Sequence, residues 1–446
     1  MNRRLLLILL LALALRLSFG LAQDPLEPYS DFGGDTSWYL ANAYALILGR
    51  QPGETLSFQE RLSPANYLHL YTLVTSRSMS TVTQVSQIST PPFYLLIIGV
   101  PQVLLSPASA VTVVRVLQVL LSTATCYFAY RLALRLTGHE NAGLLAALLL
   151  AISPVFIVEA AQILTETVFI FLLVGGMWLY VESITSARHR LVLLILAAVF
   201  LGTATLTRAV LLAFPFGLAI HLLLVYGWRR GVARAALFLL AYTLVVSTWT
   251  IYTVTQWNRF VIAGEGLTAN LYLGAEGWSG AQEVDQALAE QSSTGDYIEA
   301  TGSSIAANPL GWVQRRVSEL AGAYLQPHGT TFYGGASLRD PALNWLQEDR
   351  SPAGLVALIQ SESFVPKLML YLFHYGAIIA GIVGMWRARR RWRISLPLLG
   401  VIAYFTLVHL VLYALPRYLF PIEAFFYIFA AASLFGVSNT PHNAQE

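Results

Sequence analysis

Apolar stretches of about 20 residues recur along this chain, long enough as helices to cover the ~30 Å hydrocarbon core of a bilayer. They fall near 3–22, 109–136, 141–160, 164–184, 190–207, 209–227, 233–256, 366–386, 394–414 and 417–437. A backbone in lipid must satisfy its peptide groups internally, so only helices and closed barrels cross. Continuous apolar runs of this length, without a two-residue alternation, predict helices. Charged residues make up 11% of the chain, against roughly 25% in a soluble domain, so most of it has no water to face. The expected fold is an all-α polytopic membrane protein of about ten spans.

Arginines punctuate these spans. Arg3/Arg4, Arg131/Arg135, Arg188/Arg190, Arg229/Arg230/Arg234 and the run from Arg387 to Arg393 follow alternate apolar segments. Basic residues concentrate in cytoplasmic loops, so all five clusters are assigned to the cytoplasm. Both termini then lie inside, and the loops 23–108 and 257–365 outside. Short arginine clusters between apolar spans argue against a nucleic-acid partner; the bilayer is the expected one. The single cysteine, Cys126, sits in an apolar run and offers neither a disulfide framework nor a metal-thiolate spacing.

The segment from Pro91 to Leu105 is apolar but short, with Pro101 inside it. As a span it would turn every later arginine cluster outward, so it is read as an interfacial helix on the outer surface. The N-terminus has a basic start, an apolar core and a small-residue end at Gly20-Leu21-Ala22, as a signal peptide does; Arg16 interrupts the core, and an uncleaved anchor is expected. The resulting organisation is a transmembrane module over 1–256 that includes the first external loop, an external loop or lid subdomain over 257–365, and C-terminal helices over 366–446. An amphipathic piece near Asn308–Tyr324 is expected to rest on the membrane face.

This topology puts polar side chains at the outer ends of different spans. Asp35 follows the first span, Glu166 opens the 164–184 span, Arg208 lies in a tight turn, and Arg417 opens the last span, with Glu423 about two turns deeper. A charge at bilayer depth costs a few kcal/mol unless it is paired or wet, so four on one side point to a site. Each also has a plainer reading. Asp35 is a good helix cap, Glu166 suits a helix N-terminus, and the two arginines are suited to snorkel to the interface. Asp31 is a second, less well placed carboxylate. His221, His374 and His409 stand alone on apolar faces and are read as packed residues.

The series Gly34-Asp35…Tyr39…Ala43…Gly49, Pro91-Pro92-Phe93-Tyr94, Thr165-Glu166, Leu206-Thr207-Arg208 and Arg417-Tyr418-Leu419-Phe420-Pro421 resembles the bacterial GT-C glycosyltransferases. These include the protein O-mannosyltransferases and the enzymes that place aminoarabinose on lipid A. Asn270-Leu271-Tyr272-Leu273-Gly274 and Ala307-Asn308-Pro309-Leu310 are similar to that group as well, so the resemblance runs in order over nearly the whole chain. Two positions depart from it. Thr36 stands where relatives often have Glu, and Ser89-Thr90 precede the proline pair where relatives often have a basic residue.

The resemblance implies transfer of a sugar from a polyprenyl-phosphate donor to a lipid, glycan or protein acceptor outside the cytoplasmic membrane. On that expectation Asp35 is the general base for the acceptor hydroxyl, a role worth roughly 10²–10⁴-fold. Arg417 and Arg208, with Arg16 a third, counter the donor phosphate, for which a guanidinium is well shaped. Glu166 and Asp31 are candidates for binding the acceptor or a cation. No organic cofactor is expected; some GT-C enzymes use a divalent cation, and no ligand spacing here demands one. The alternatives are a transporter or flippase, which would place ionisable groups at the midplane between paired halves, and a non-catalytic assembly protein that binds through 257–365.

The topology is open to test by thiol labelling in a Cys126→Ala background. Single cysteines within 50–85 and 270–350 are expected to label from outside intact cells, and those beside Arg188 and Arg390 only after the membrane is opened. Labelling beside Arg390 in intact cells would overturn the scheme.

Overall fold

The computed structural model describes residues 2–26, 35–47, 49, 88, 90–186, 188–276, 294–333 and 337–437. Among the described residues there is helix and no strand. In chain order the helices are α1 (Arg3–Ala22), α2 (Asp35–Ile47), α3 (Pro92–Leu104), α4 (Pro107–Thr137), α5 (Glu140–Ile152), α6 (Pro154–Glu159), α7 (Glu166–Thr185), α8 (Arg190–Thr205) and α9 (Phe214–Trp257). They continue with α10 (Leu267–Ala275), α11 (Thr294–Ala307), α12 (Pro309–Leu325), α13 (Arg339–Gln347), α14 (Pro352–Ile359), α15 (Phe364–Ala388), α16 (Trp392–Val411) and α17 (Pro416–Phe435).

The sequence sets many of the helix ends. Proline opens α3, α4, α6, α12, α14 and α17, at the position where its missing N–H removes no helical bond. Gly138 closes α4 in the left-handed region, φ +80°, its N–H donating to the Leu134 carbonyl at 2.7 Å, as a glycine after a helix does. Gly227, at φ +70°, breaks α9 into two helices.

Six helical stretches among the described residues are long and apolar enough to cross a membrane: 3–22, 107–137, 166–185, 209–257, 364–411 and 416–435. Two of them are double, one broken at Gly227 and the other at the 3-10 turn Arg389–Arg391. The expected spans at 141–160 and 190–207 are instead shorter apolar helices, with Pro154 separating α5 from α6. The all-α polytopic class is therefore present, while length and composition give six such stretches rather than ten separate spans. The 91–105 segment is the 13-residue helix α3, packed against α2 so closely that a Cβ on Gly99 would meet Ile47 and the Ala43 carbonyl.

The arginine clusters gather at one end of the bundle. Arg131 and Arg135 both bond Glu182 near the end of α7, at 2.9 and 2.7 Å. Arg391 donates to the Arg135 carbonyl, and Asn2 bonds Glu140. Arg234 covers the ring of Tyr226, whose hydroxyl donates to the Ser183 carbonyl. The starts of α7 and α17 therefore lie at the opposite end. Those two are the most buried of the long helices; α17 packs on α4, α5, α7, α15 and α16. The expected amphipathic piece is α12, capped by the Asn308 side chain on the Gly311 N–H. Arg316 of α12 donates to the Leu412 carbonyl and Tyr324 shares a hydrogen bond with Thr406, which docks this helix on α16 and on the turn leading to Arg417.

Helices α15 and α17 approach closely: a Cβ on Gly384 would run into the Phe429 carbonyl and one on Gly381 into the Phe426 ring. Small residues permit such contact between membrane helices. Gly384→Ala is expected to destabilise the protein by about 1–3 kcal/mol, read as a lower melting temperature in detergent. Gly376→Ala, on the same helix with open space at its Cβ, is expected to be neutral.

Candidate active site

Four helix ends converge on one cluster of charge. Glu166 is the first residue of α7, after Thr165, and Asp35 the first of α2. Arg417 is the second residue of α17, after Pro416, whose fixed φ constrains where the following turn begins. Arg208 is extended, between the end of α8 and the 3-10 turn Ala209–Leu211. The Phe93 N–H donates to the Leu206 carbonyl at 2.9 Å, tying the start of α3 to the Arg208 turn. The Tyr94 ring stands edge-on to Tyr39 of α2 at 5.5 Å. The proline pair thus joins the helix that carries Asp35 to the turn that carries Arg208.

Glu166 is the centre. It is fully buried, and Arg417 grips it with two nitrogens, Nε to Oε1 at 2.5 Å and Nη2 to Oε2 at 3.3 Å. Arg208 Nη1 reaches Oε1 at 2.7 Å, with its guanidinium against the rings of Phe169 and Tyr418. The remaining terminal nitrogen of Arg417, Nη1, bonds Asp35 Oδ2. The partners differ in one respect that matters: the Asp35 side chain is 42% exposed and that of Glu166 0%. Glu166 is therefore a fixed structural anion, and Asp35 the partner that water or a ligand can reach. Burial pushes the Tyr39 hydroxyl up to about 12, with Arg417 pulling it the other way. It stays a neutral phenol beside the cluster at physiological pH.

The other expected residues divide clearly. Asp31 lies outside the described residues. Arg16 is buried but does not join the cluster: Nε donates to Ser122 Oγ, and Nη1 and Nη2 to the Ala151 and Leu150 carbonyls at 2.9 and 2.8 Å. These are among the last carbonyls of α5, which have no partner within their own helix, and the Arg16 guanidinium is bonded to them rather than to the cluster. Glu166 was expected to meet an acceptor or a cation; both its oxygens go to arginine instead. Among the described residues no three His, Cys, Asp or Glu side chains gather as a metal site. Within the cluster both oxygens of Glu166 are taken by arginine. The lone histidines are packed and bonded: His221 to Tyr180, His374 to the Tyr324 carbonyl, His409 to the Phe405 carbonyl.

Glu159 and His328 escaped the sequence reading. Glu159 ends the apolar run Val155-Phe156-Ile157-Val158 and looks like part of a span, and His328 lies in a loop with no pattern. In the structure they form a buried pair, His328 Nε2 to Glu159 Oε1 at 2.5 Å.

The fold of this bundle is similar to that of a solved oligosaccharyltransferase. The oligosaccharyltransferase of Archaeoglobus fulgidus superposes on 96% of the chain with a TM-score of 0.52 at 12% identity. The structure of that enzyme, AglB, with an inhibitory peptide and a dolichol-phosphate gives 0.51 at 13%, and its structure with Zn and sulfate gives the same values. The chain spans about half the length of that enzyme. Residues 91–263 match the family of dolichyl-phosphate-mannose-protein mannosyltransferases, which takes in α3, Glu166 and Arg208. No curated protein matches the chain.

The asymmetry of the two carboxylates has a measurable consequence. Glu166→Gln leaves two guanidiniums without their shared counter-charge and is expected to cost about 3–5 kcal/mol of stability. Asp35→Asn, at an exposed pair, is expected to cost under about 1 kcal/mol. Thermal unfolding of the purified variants in nanodiscs compares them.

Proposed function

We propose that this protein is a membrane glycosyltransferase that moves a hexosyl or pentosyl unit from a polyprenyl-phosphate donor to an acceptor hydroxyl. The acceptor is carried by a lipid, a glycan or a protein on the outer face of the cytoplasmic membrane. The orientation follows from the five arginine clusters sharing the end opposite the site, with ten crossings in all. The observation that carries the reading is Arg417 shared between a buried and an exposed carboxylate, in a fold whose matched segment belongs to polyprenyl-phosphate sugar users.

The geometry supports an exchange mechanism. In the resting cluster the Asp35 carboxylate is occupied by Arg417. A phosphate is a strong bidentate partner for guanidinium, and Asp35 is the carboxylate it can displace, because Glu166 is buried between two arginines. Donor binding then does two things together: it seats the phosphate on Arg417 and frees Asp35. Asp35 accepts the proton of the acceptor hydroxyl as that oxygen bonds to C1 of the sugar. The C1–O bond to phosphate breaks, its electron pair stays on the phosphate oxygen, and Arg417 with Arg208 counters the charge that develops. Tyr39 supplies a neutral hydroxyl alongside.

Purified protein in nanodiscs, given dolichyl-phosphate mannose and related polyprenyl-phosphate sugars with an envelope extract as acceptor, is expected to release free polyprenyl phosphate. Asp35→Asn is expected to lower transfer by at least about 100-fold while the protein still binds donor. Arg417→Lys keeps the charge but loses the planar fork, and is expected to weaken donor use more than acceptor use. Wild-type rates in both variants would refute the assignment.

A further inference from the structure

The backbone that presents Glu166 is buried and not helical. Between the end of α6 at Glu159 and the start of α7 at Glu166, residues 160–165 form a turn and a run of bends. Ala160, Ala161, Ile163, Leu164 and Thr165 are all buried, and carbonyls in such a place need partners. Side chains of α4 supply them. Arg115 Nε donates to the Ala161 carbonyl at 3.1 Å, and the Gln118 amide donates to the carbonyls on either side, Gln162 at 2.6 Å and Ala160 at 3.3 Å. Arg115 and Gln118 are three residues apart on α4 and so share one face.

The Gln118 amide has a third bond, and it leads elsewhere. Its oxygen accepts from the Tyr94 hydroxyl of α3 at 2.9 Å. Both residues are fully buried, and the amide thereby uses its oxygen and both N–H groups. Helix α3 and the residues just before it support α2 at three points. Thr90 Oγ1 accepts from Trp38 Nε1 at 2.9 Å, the Tyr94 ring meets that of Tyr39, and Gly99 lies against Ala43 and Ile47. Asp35 is the first residue of α2. One amide therefore holds the turn into Glu166 on its nitrogen and, on its oxygen, the helix against which the Asp35 helix rests.

Resting on the glycosyltransferase reading, we propose that Gln118 is a positioning residue for the transfer step: its amide keeps the α2–α3 pair, and with it Asp35, in register with the turn that presents Glu166, and Tyr94 is the arm through which it does so. The two carboxylates have different duties in that step. Glu166 keeps Arg417 fixed, while Asp35 has to leave Arg417 and meet the acceptor hydroxyl. A displacement of about 1 Å at the reacting groups lowers a rate by up to about 100-fold. Tyr94→Phe cuts the arm to α3 and leaves the bonds to the Glu166 turn in place, so it displaces the base and spares the phosphate grip.

The test is transfer kinetics with equilibrium donor binding, on the full-length protein in nanodiscs, using a panel of polyprenyl-phosphate sugars that begins with dolichyl-phosphate mannose. Tyr94→Phe is expected to lower kcat about 10- to 100-fold with the donor Kd unchanged. Gln118→Met cuts both arms and is expected to lower kcat at least as far and to weaken donor binding as well. Tyr94→Phe is expected to add nothing in a Gln118→Met background, and nothing in an Asp35→Asn background, where the base it places is already lost. A merely structural role would not produce that silence, because general loosening slows every background and moves donor binding with it. Wild-type kcat in Tyr94→Phe, a matching loss of donor affinity, or a full further loss on top of Asp35→Asn would overturn the inference and leave the function reading standing. These outcomes need only Tyr94→Phe, so the inference stays open to refutation even where Gln118→Met does not fold. A wild type that releases no polyprenyl phosphate from any donor of the panel would overturn the function reading and this inference with it.

Discussion

The end of the bundle opposite the arginine clusters depends on one fully buried carboxylate, Glu166, held by Arg417 and Arg208. An ion at that depth is tolerable only when it is paired with good geometry, so the pairing dictates where three helix ends sit. The start of α7 supplies the anion, the start of α17 one cation, and the turn after α8 the other. Proline at the head of α17 and the hydrogen bond from Phe93 to Leu206 fix the approaches. Asp35 attaches to this fixed core from outside, through the one arginine nitrogen that Glu166 does not engage. A rigid, buried pair with a third, exchangeable partner is a natural receptor for an anion that must arrive, react and leave.

The segment around α12 is part of this arrangement rather than an ornament upon it. Arg316 and Tyr324 of α12 hold it to the turn before Arg417 and to α16, and His328 carries it inward to Glu159. Arg259 and Glu265 form another clasp, since Glu265 also accepts from the Ile88 N–H and donates its own N–H to the Ile88 carbonyl. The approach to the proline pair is thereby tied to the segment that follows α9. Contacts of this kind tie the segments around α3 and α12 to the site.

Much of this was legible in the sequence because membrane helices leave strong marks. Apolar runs gave the helices, and alternate arginine clusters gave their common end. The cost of charge in lipid singled out Asp35, Glu166, Arg208 and Arg417, which converge although they are scattered over nearly 400 residues. Arg16 obeyed the same rule yet lies apart from the cluster, its guanidinium bonded to helix-end carbonyls, and sequence does not reveal which acceptors are nearby. Glu159 and His328 were invisible for a related reason. Each is unremarkable among its neighbours, and their meaning arises only when α6 and the end of α12 meet. The breaks at Gly227 and at Arg389–Arg391 fall at or between the ends of expected spans, whereas Pro154 cuts the expected span 141–160 in a way that hydropathy alone does not resolve.

The exchange at Arg417 is the central claim, and it can be seen directly. Cryo-electron microscopy of the protein in nanodiscs, with and without a bound polyprenyl-phosphate sugar, would report the three partners of that guanidinium. The expected donor-bound state has phosphate oxygens on Arg417, Glu166 still in its grip, and the Asp35 carboxylate released toward the acceptor side. Donor phosphate bound elsewhere, with the Arg417–Asp35 pair intact, would contradict it.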